Sequence, residues 1–267
     1  MLQRFPILYV PHGGGPLPVL GDEGHASLVR FLREWAQSRP RPKAIVVISA
    51  HWETDSVQIT AGAFPKLIYD YGGFPEAAYR LTYPAPGSPP LAGTLVDDLA
   101  RFGLKANLAD RGFDHGLFIP LLLMYPEADI PCLQISMDAR LDPQHHIRLG
   151  EALQHLPDQG ILLLGSGMSF HNLRALFRPD PQAEAHNRAF DDWLLQTCVH
   201  EGVDAAFRNE RLLHWDQAPS ARYCHPREEH LLPLHVCFGA ARSEHKTANL
   251  VFHDRVMGQK AMALEWT

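Results

Sequence analysis

The chain has 267 residues, 46% of them hydrophobic, and carries 24 basic against 30 acidic side chains, for a formal net charge of −6. A chain of this length buries roughly three quarters of the surface its unfolded form exposes, enough for one large core. Mild acidity, with no basic cluster longer than Arg39–Lys43, argues against nucleic acid or an anionic membrane as partner and leaves small-molecule chemistry as the expectation.

The first residues, Met1–Pro6, lack the apolar centre of a signal peptide, and no stretch approaches the ~18 apolar residues of a membrane span. A cytoplasmic protein is expected. The run Ile7–Val10 reads as a strand. Leu28, Phe31, Leu32 and Trp35 follow at helical spacing and predict a helix over about residues 24–37. Ala44–Ile48 and Val57–Thr60 read as further strands. The proline-rich run Tyr83–Pro90 is taken as a long loop, with Ser88 as the N-cap and Pro89 opening the next helix. Leu133–Ile135 and Ile161–Leu164 are strands on either side of a helix that Asp142 and Pro143 begin and Gly160 closes. The second half is more helical. Ala185, Ala189, Phe190, Leu194 and Cys198 share one face, another helix is expected from Pro226, and Ala248–Phe252 and Ala261–Leu264 return to strand. Strands alternating with helices predict an α/β fold: a single domain with a largely parallel or mixed central sheet covered by helices on both faces.

Cys132, Cys198, Cys224 and Cys237 form no C-x-x-C pair and read as buried reduced thiols. Histidine is the anomaly, with sixteen in the chain. An excess of imidazole points to metal or proton-transfer chemistry. His25, His145, His146, His155, His186, His200 and His245 stand in polar surroundings that solvent exposure explains. Three others directly follow buried strands, where open α/β sheets bind ligands: His12 in Pro11–Pro16, His51 in Ser49–Trp52, and His171 in Gly165–Asn172. Any one of them alone reads most simply as a hydrogen-bonded structural residue. Three imidazoles at one sheet edge read as a site.

His230 is a fourth candidate, near the start of the helix expected from Pro226. On such a helix His235 lies about 140° away and points elsewhere. Glu229 competes with His230, since neighbouring helical positions diverge by about 100° and two histidines with one carboxylate form the usual Fe(II) triad. Spacing leaves that choice open, and a solvated first turn favoured by the helix dipole also accounts for Glu228 and Glu229. His115 follows Asp114 at the start of the apolar run Leu117–Met124. It is either a surface residue beside a capping aspartate or a proton carrier poised by Asp114 or by the site. His12-Gly13-Gly14-Gly15 looks like an oxyanion-hole loop, but no G-x-S-x-G elbow accompanies it. No nucleotide-binding glycine motif and no H-E-x-x-H occur either.

Taken in order, Pro11–Pro16, Ala44–Trp52, Tyr71–Pro75, Tyr83–Gly87, Gly112–Gly116, Gly165–Leu173 and Glu229–Leu234 resemble the LigB-type class III extradiol ring-cleavage dioxygenases, 4,5-DOPA dioxygenase branch. One departure is Gly14-Gly15, where many members carry Gly-Ser. The resemblance implies one catalytic domain over residues 1–267, with metal on His12, His51 and His230. His171 is then either a fourth ligand in a resting or zinc-loaded form or the acid/base beside the metal, and His115 is a pocket residue that binds substrate or assists proton transfer. Fe(II) is the cofactor implied for activity. Zn(II) suits the same imidazoles but is redox-inert and marks an idle form. The implied partners are a small-molecule catechol, DOPA-like or related, and O2, giving a muconic semialdehyde. Two rival readings are a zinc hydrolase using His12, His51 and His230 with one water, and a non-enzymatic metal-binding interaction protein of the Memo type. Retention of both His115 and His171 favours catalysis.

Overall fold

Consecutive residues of the central strands are apolar, so these strands must be covered on both faces. The computed structural model, which describes residues 4–178, 180–242 and 246–267, shows how. The first half runs β1 (Ile7–Pro11), α1 (Ala26–Gln37), β2 (Ala44–Thr54), β3 (Val57–Thr60), α2 (Pro89–Arg101), β4 (Ala106–Ala109), α3 (His115–Met124) and β5 (Cys132–Asp138). Then come α4 (Pro143–Leu153), β6 (Ile161–Gly167), α5 (Leu173–Phe177), α6 (Ala183–Cys198), α7 (Ala205–Leu213), α8 (Ala221–Cys224), α9 (Leu232–Ala240), β7 (Asn249–Val256) and β8 (Gln259–Trp266). The strands form one mixed sheet in the order β4-β3-β5-β2-β6-β1-β8-β7. Its centre is parallel, with β6 between β1 and β2 and β5 beyond β2, and β8 closes antiparallel on β1.

Ile7, Tyr9, Val46, Ile48 and Leu163 face one core with α2, α4, α6 and α9. Their neighbours Leu8, Val10, Ile45, Val47, Leu162 and Leu164 face the other, with α1 and α3. This is the strand alternation acting on both sides of one sheet. On the first face α4 and α9 pack in near-contact: a Cβ at Gly150 would sit 2.0 Å from the Val236 carbonyl. The fold is a single α/β domain, as the strand and helix patterns predict.

Differences are local. β4 carries no continuous apolar run and is half-exposed at the sheet edge. Ser88 stands at the cap of α2 without a side-chain hydrogen bond, whereas Asp142 accepts from the amides of Gln144 and His145 as expected. The proline-rich run is a packed loop: Tyr83 and Ala85 are buried, and Pro86 accepts from the Cys132 amide at 2.8 Å. No helix begins at Pro226. Residues 226–231 form bends and turns, and α9 starts only at Leu232, where Pro233 suits the first turn. The four cysteines are free and buried. His25 and His146 are fully buried instead of solvated, and His245 lies outside the described residues. No described helix is long and apolar enough to cross a membrane.

Candidate metal centre

Three parallel strand ends and two loops converge at one edge of the sheet. β1 ends in the glycine turn after His12, where Gly13 and Gly15 take left-handed backbone with φ of 82° and 58°, angles only glycine adopts without strain. The Gly14 amide donates to His25 Nε2 at 3.0 Å, and Asp22 holds the other ring nitrogen of His25 at 2.6 Å. His25 is therefore a buried brace for this loop. In β2 the pairing with β5 slips between Ile48 and Glu53, and the irregular stretch between them presents His51, as bulges beside active sites do. The end of β6 fixes two histidines at once. Gly167 accepts from the His12 amide at 3.0 Å, and a Cβ on Gly167 would lie 2.2 Å from the His230 carbonyl. That carbonyl accepts from the Met168 amide at 2.9 Å and from Tyr9 Oη at 3.3 Å.

The three side chains meet through their Nε2 atoms. His51 Nε2 lies 3.1 Å from His12 Nε2 and 3.3 Å from His230 Nε2. Each outer nitrogen has a polar neighbour: Ser166 Oγ at 3.1 Å from His12 Nδ1, Asp70 Oδ2 at 3.6 Å from His51 Nδ1, and Glu229 Oε1 at 2.9 Å from His230 Nδ1. The Glu229 carboxylate hydrogen-bonded to His230 Nδ1, and the Asp70 charge facing His51 Nδ1, favour the tautomer whose Nε2 lone pairs converge, and converging lone pairs call for a cation between them. Burial, reinforced by the other imidazoles, holds His12 and His230 well below the ordinary histidine range. Burial and then the His115 charge press His51 down to about 3. All three are thus neutral at physiological pH, the form in which imidazole binds metal.

Because residues 226–231 are not helical, Glu229 and His230 do not diverge and both reach the cleft. Glu229 Oε1 also stands 3.3 Å from His171 Nδ1, and the His171 ring stacks on His230 with centroids 3.3 Å apart. Burial alone would raise the Glu229 carboxyl, but the hydrogen bond from His171 and the Arg227 charge hold it below the usual range. Its Oε2 is buried with no hydrogen-bond partner. His171 is anchored by its amide to the Cys224 carbonyl at 2.9 Å. His235 is buried away from the cleft, 2.9 Å from the Leu212 carbonyl.

Asp70 is the residue that sequence reasoning missed. The loop after β3 is pinned to the entrance of α3 by reciprocal Lys66–Phe113 and Phe113–Ile68 backbone bonds of 2.8 Å. This brings Asp70 Oδ1 to 3.0 Å from the His115 amide and 2.9 Å from His115 Nδ1. Burial opposes the Asp70 charge, yet the His115 hydrogen bond and the His115 and His51 rings keep the carboxyl below its usual range. Asp114 caps α3, as one of its two readings expected, and accepts from Ser49 Oγ at 2.7 Å, tying that helix to β2; the carboxylate that holds His115 is Asp70. A carboxylate bordering the Tyr71–Pro75 segment was the available signal for Asp70.

Among the described residues, the ligand-type atoms of His12, His51 and His230 lie within 4.8 Å of one another, and so do those of His51, Asp70 and His115 and of His171, Glu229 and His230. The cleft has a volume of about 620 Å³, with Glu53, Tyr71, Phe74 and Arg227 joining the histidines in its wall. Comparison with known proteins gives the family. Residues 5–264 match the family described as the catalytic LigB subunit of aromatic ring-opening dioxygenase. The chain is 40% identical to dioxygenase tasH of Hapsidospora irregularis, over 90% of this chain and 79% of that protein. It is 39% identical to the 4,5-DOPA dioxygenase extradiol of Beta vulgaris, over 91% and 89% of the two chains. To the enzyme of the same name from Escherichia coli K12 it is 37% identical, over 89% and 85%. The solved structure of an uncharacterized Escherichia coli K12 protein superposes with a TM-score of 0.79 at 30% identity, covering 98% of this chain and 99% of that one. A histidine-lined cleft at the strand ends and a family match spanning nearly every residue lead to one assignment: the chain belongs to the LigB family and is a ring-cleavage dioxygenase.

Proposed function

We propose that this protein is a non-haem, metal-dependent extradiol dioxygenase that opens a catechol ring with O2 to a muconic semialdehyde, using Fe(II) held by His12, His51 and His230. The observation that carries the metal assignment is the meeting of three neutral imidazoles, buried His12 and His230 and half-buried His51, through Nε2 atoms 3.1 and 3.3 Å apart. The donor set fits a borderline divalent ion, and the Asp70 and Glu229 carboxylates behind it supply the outer support that metal-binding imidazoles require. A divalent iron bound there supplies a meeting place for catechol oxygens and dioxygen and a path for electron density between them, which zinc, being redox-inert, does not.

The remaining work falls to the chain. His171 accepts a proton from the catechol hydroxyl, and Glu229, 3.3 Å from its Nδ1, stabilises the imidazolium that forms. His115, oriented by Asp70 through both its amide and its ring, returns a proton to the departing oxygen. The aromatic rings of Tyr71 and Phe74 in the cleft wall exclude water from the reacting ring. The 4,5-DOPA names of the relatives support a catecholic substrate with a side chain on the ring.

Anaerobic loading with Fe(II), followed by oxygen-electrode and absorbance assays with DOPA, caffeate, protocatechuate and an uncharged catechol, dihydrocaffeate ethyl ester, tests this reading. Oxygen uptake coupled to a visible ring-opened product with at least one catechol is expected. Iron-loaded protein that consumes no oxygen with any of them overturns it.

A further inference from the structure

The cleft is far larger than a catechol ring needs; its volume of about 620 Å³ falls in the range that takes drug-sized ligands. The ring's substituent therefore has a place to go, and the lining indicates its chemistry. Among the described lining residues Arg227 is the only lysine or arginine. It is already engaged: both terminal nitrogens bind the Glu53 carboxylate, and Nη1 lies 3.6 Å from Glu229 Oε2. A substrate carboxylate would have to compete with Glu53 for this half-exposed guanidinium while facing two acidic groups, which disfavours it relative to an uncharged substituent. The rest of the mouth is apolar. Phe74 and Met257 flank the glycine turn, a Cβ on Gly15 meeting the Phe74 ring at 3.3 Å and one on Gly14 meeting Met257 Sδ at 2.7 Å. Opposite in sequence, α5 contributes Leu173, Leu176 and Phe177, and Leu173 and Phe177 are 54% and 64% exposed. Large apolar side chains left in water at the rim of a deep cleft gain by being covered.

We infer that the preferred substrate is a catechol whose ring carries an uncharged, apolar substituent of several carbons, held by Phe74, Met257 and the Leu173–Phe177 helix, in preference to a free amino acid or carboxylate. This rests on the ring-cleavage reading above and narrows it. α5 thereby becomes the specificity element. It follows β6 and His171 directly, so a single connection sets both the base and the mouth.

The test compares dihydrocaffeate with its ethyl ester, which share one skeleton and differ in charge and apolar length. Two readouts are taken: kcat/KM by oxygen uptake on iron-loaded protein, and Kd by calorimetry on zinc-loaded protein, where no turnover occurs. The ester is expected to be favoured by about tenfold or more in both, as a few buried methylenes provide. Phe177→Lys, a change at an exposed position, is expected to bring that ratio to one or below it, while Phe177→Leu keeps it. Equal or better binding and turnover of the acid by the unsubstituted protein overturns the inference. Preference for the ester in binding, with no oxygen uptake from either compound, supports the inference and fails the ring-cleavage reading instead.

Discussion

Each histidine in the cleft has a separate physical assignment, and substitutions should separate them. His12→Ala and His51→Ala remove one of three convergent lone pairs and are expected to lose bound iron. His115→Ala leaves those nitrogens in place and should keep iron while lowering kcat by about 10²–10⁴, the usual contribution of a positioned acid or base. Metal analysis alongside turnover reads both; equal iron loss in all three variants contradicts the division of roles. Asp70→Asn keeps the size of the side chain but removes the charge that orients His115 and stands behind His51. A loss of about 10–100-fold in iron affinity or turnover is expected, measured by iron titration and steady-state kinetics. His12, His51 and His171 were legible because each follows a buried strand. His230 was legible as a candidate, but its choice against Glu229 was not, because the helical geometry assumed for residues 226–231 does not exist. Asp70 and Arg227 sit on loops whose paths no periodicity reports.

At the scale of elements, the end of β6 is the joint on which the cluster depends. Gly167→Ala would drive a methyl into the His230 carbonyl 2.2 Å away. Shifting that segment should cost about 1–3 kcal/mol of stability and displace His230, so a lower melting temperature with iron loss is expected. Unchanged iron affinity in that variant would show that β6 does not set the site. Away from the cleft, α4 carries a different liability. His146 is fully buried, donates from Nδ1 to the Asp142 carbonyl at 2.7 Å, and receives the Asp138 amide at 3.3 Å on Nε2. Burial holds it down at about 4. Its folded value lies below the unfolded value of about 6.5, so the unfolded chain takes up the proton first. Stability from this residue is complete above about pH 6.5 and is lost as pH falls towards 4, by up to about 3 kcal/mol. Thermal melts between pH 7.5 and 4.5 should show this decline, shared with the other buried histidines, and His146→Gln should make it shallower; an unaltered slope in the variant contradicts the assignment. The sequence placed His146 at the surface because its neighbours are polar, yet α4 turns that position inward against the sheet. Similarly, β4 escaped notice because an exposed edge strand needs no apolar alternation.

For the whole molecule, the two-sided alternation in β1, β2 and β6 dictates a doubly covered parallel centre, and this much of the architecture follows from pattern alone. The antiparallel closure by β8 and the crossing of the Asp70 loop over the strand ends depend on long-range pairing that local sequence does not encode. That closure matters for function, because it seats β1 between β6 and β8 and fixes the direction in which His12 leaves the sheet. The central claim is that imidazoles from distant parts of this fold share one iron. Anomalous diffraction at the iron edge, from crystals grown under argon with Fe(II), tests it most directly. A single peak within bonding distance of the Nε2 atoms of His12, His51 and His230 is expected; a peak elsewhere, or none in an iron-loaded crystal, contradicts it.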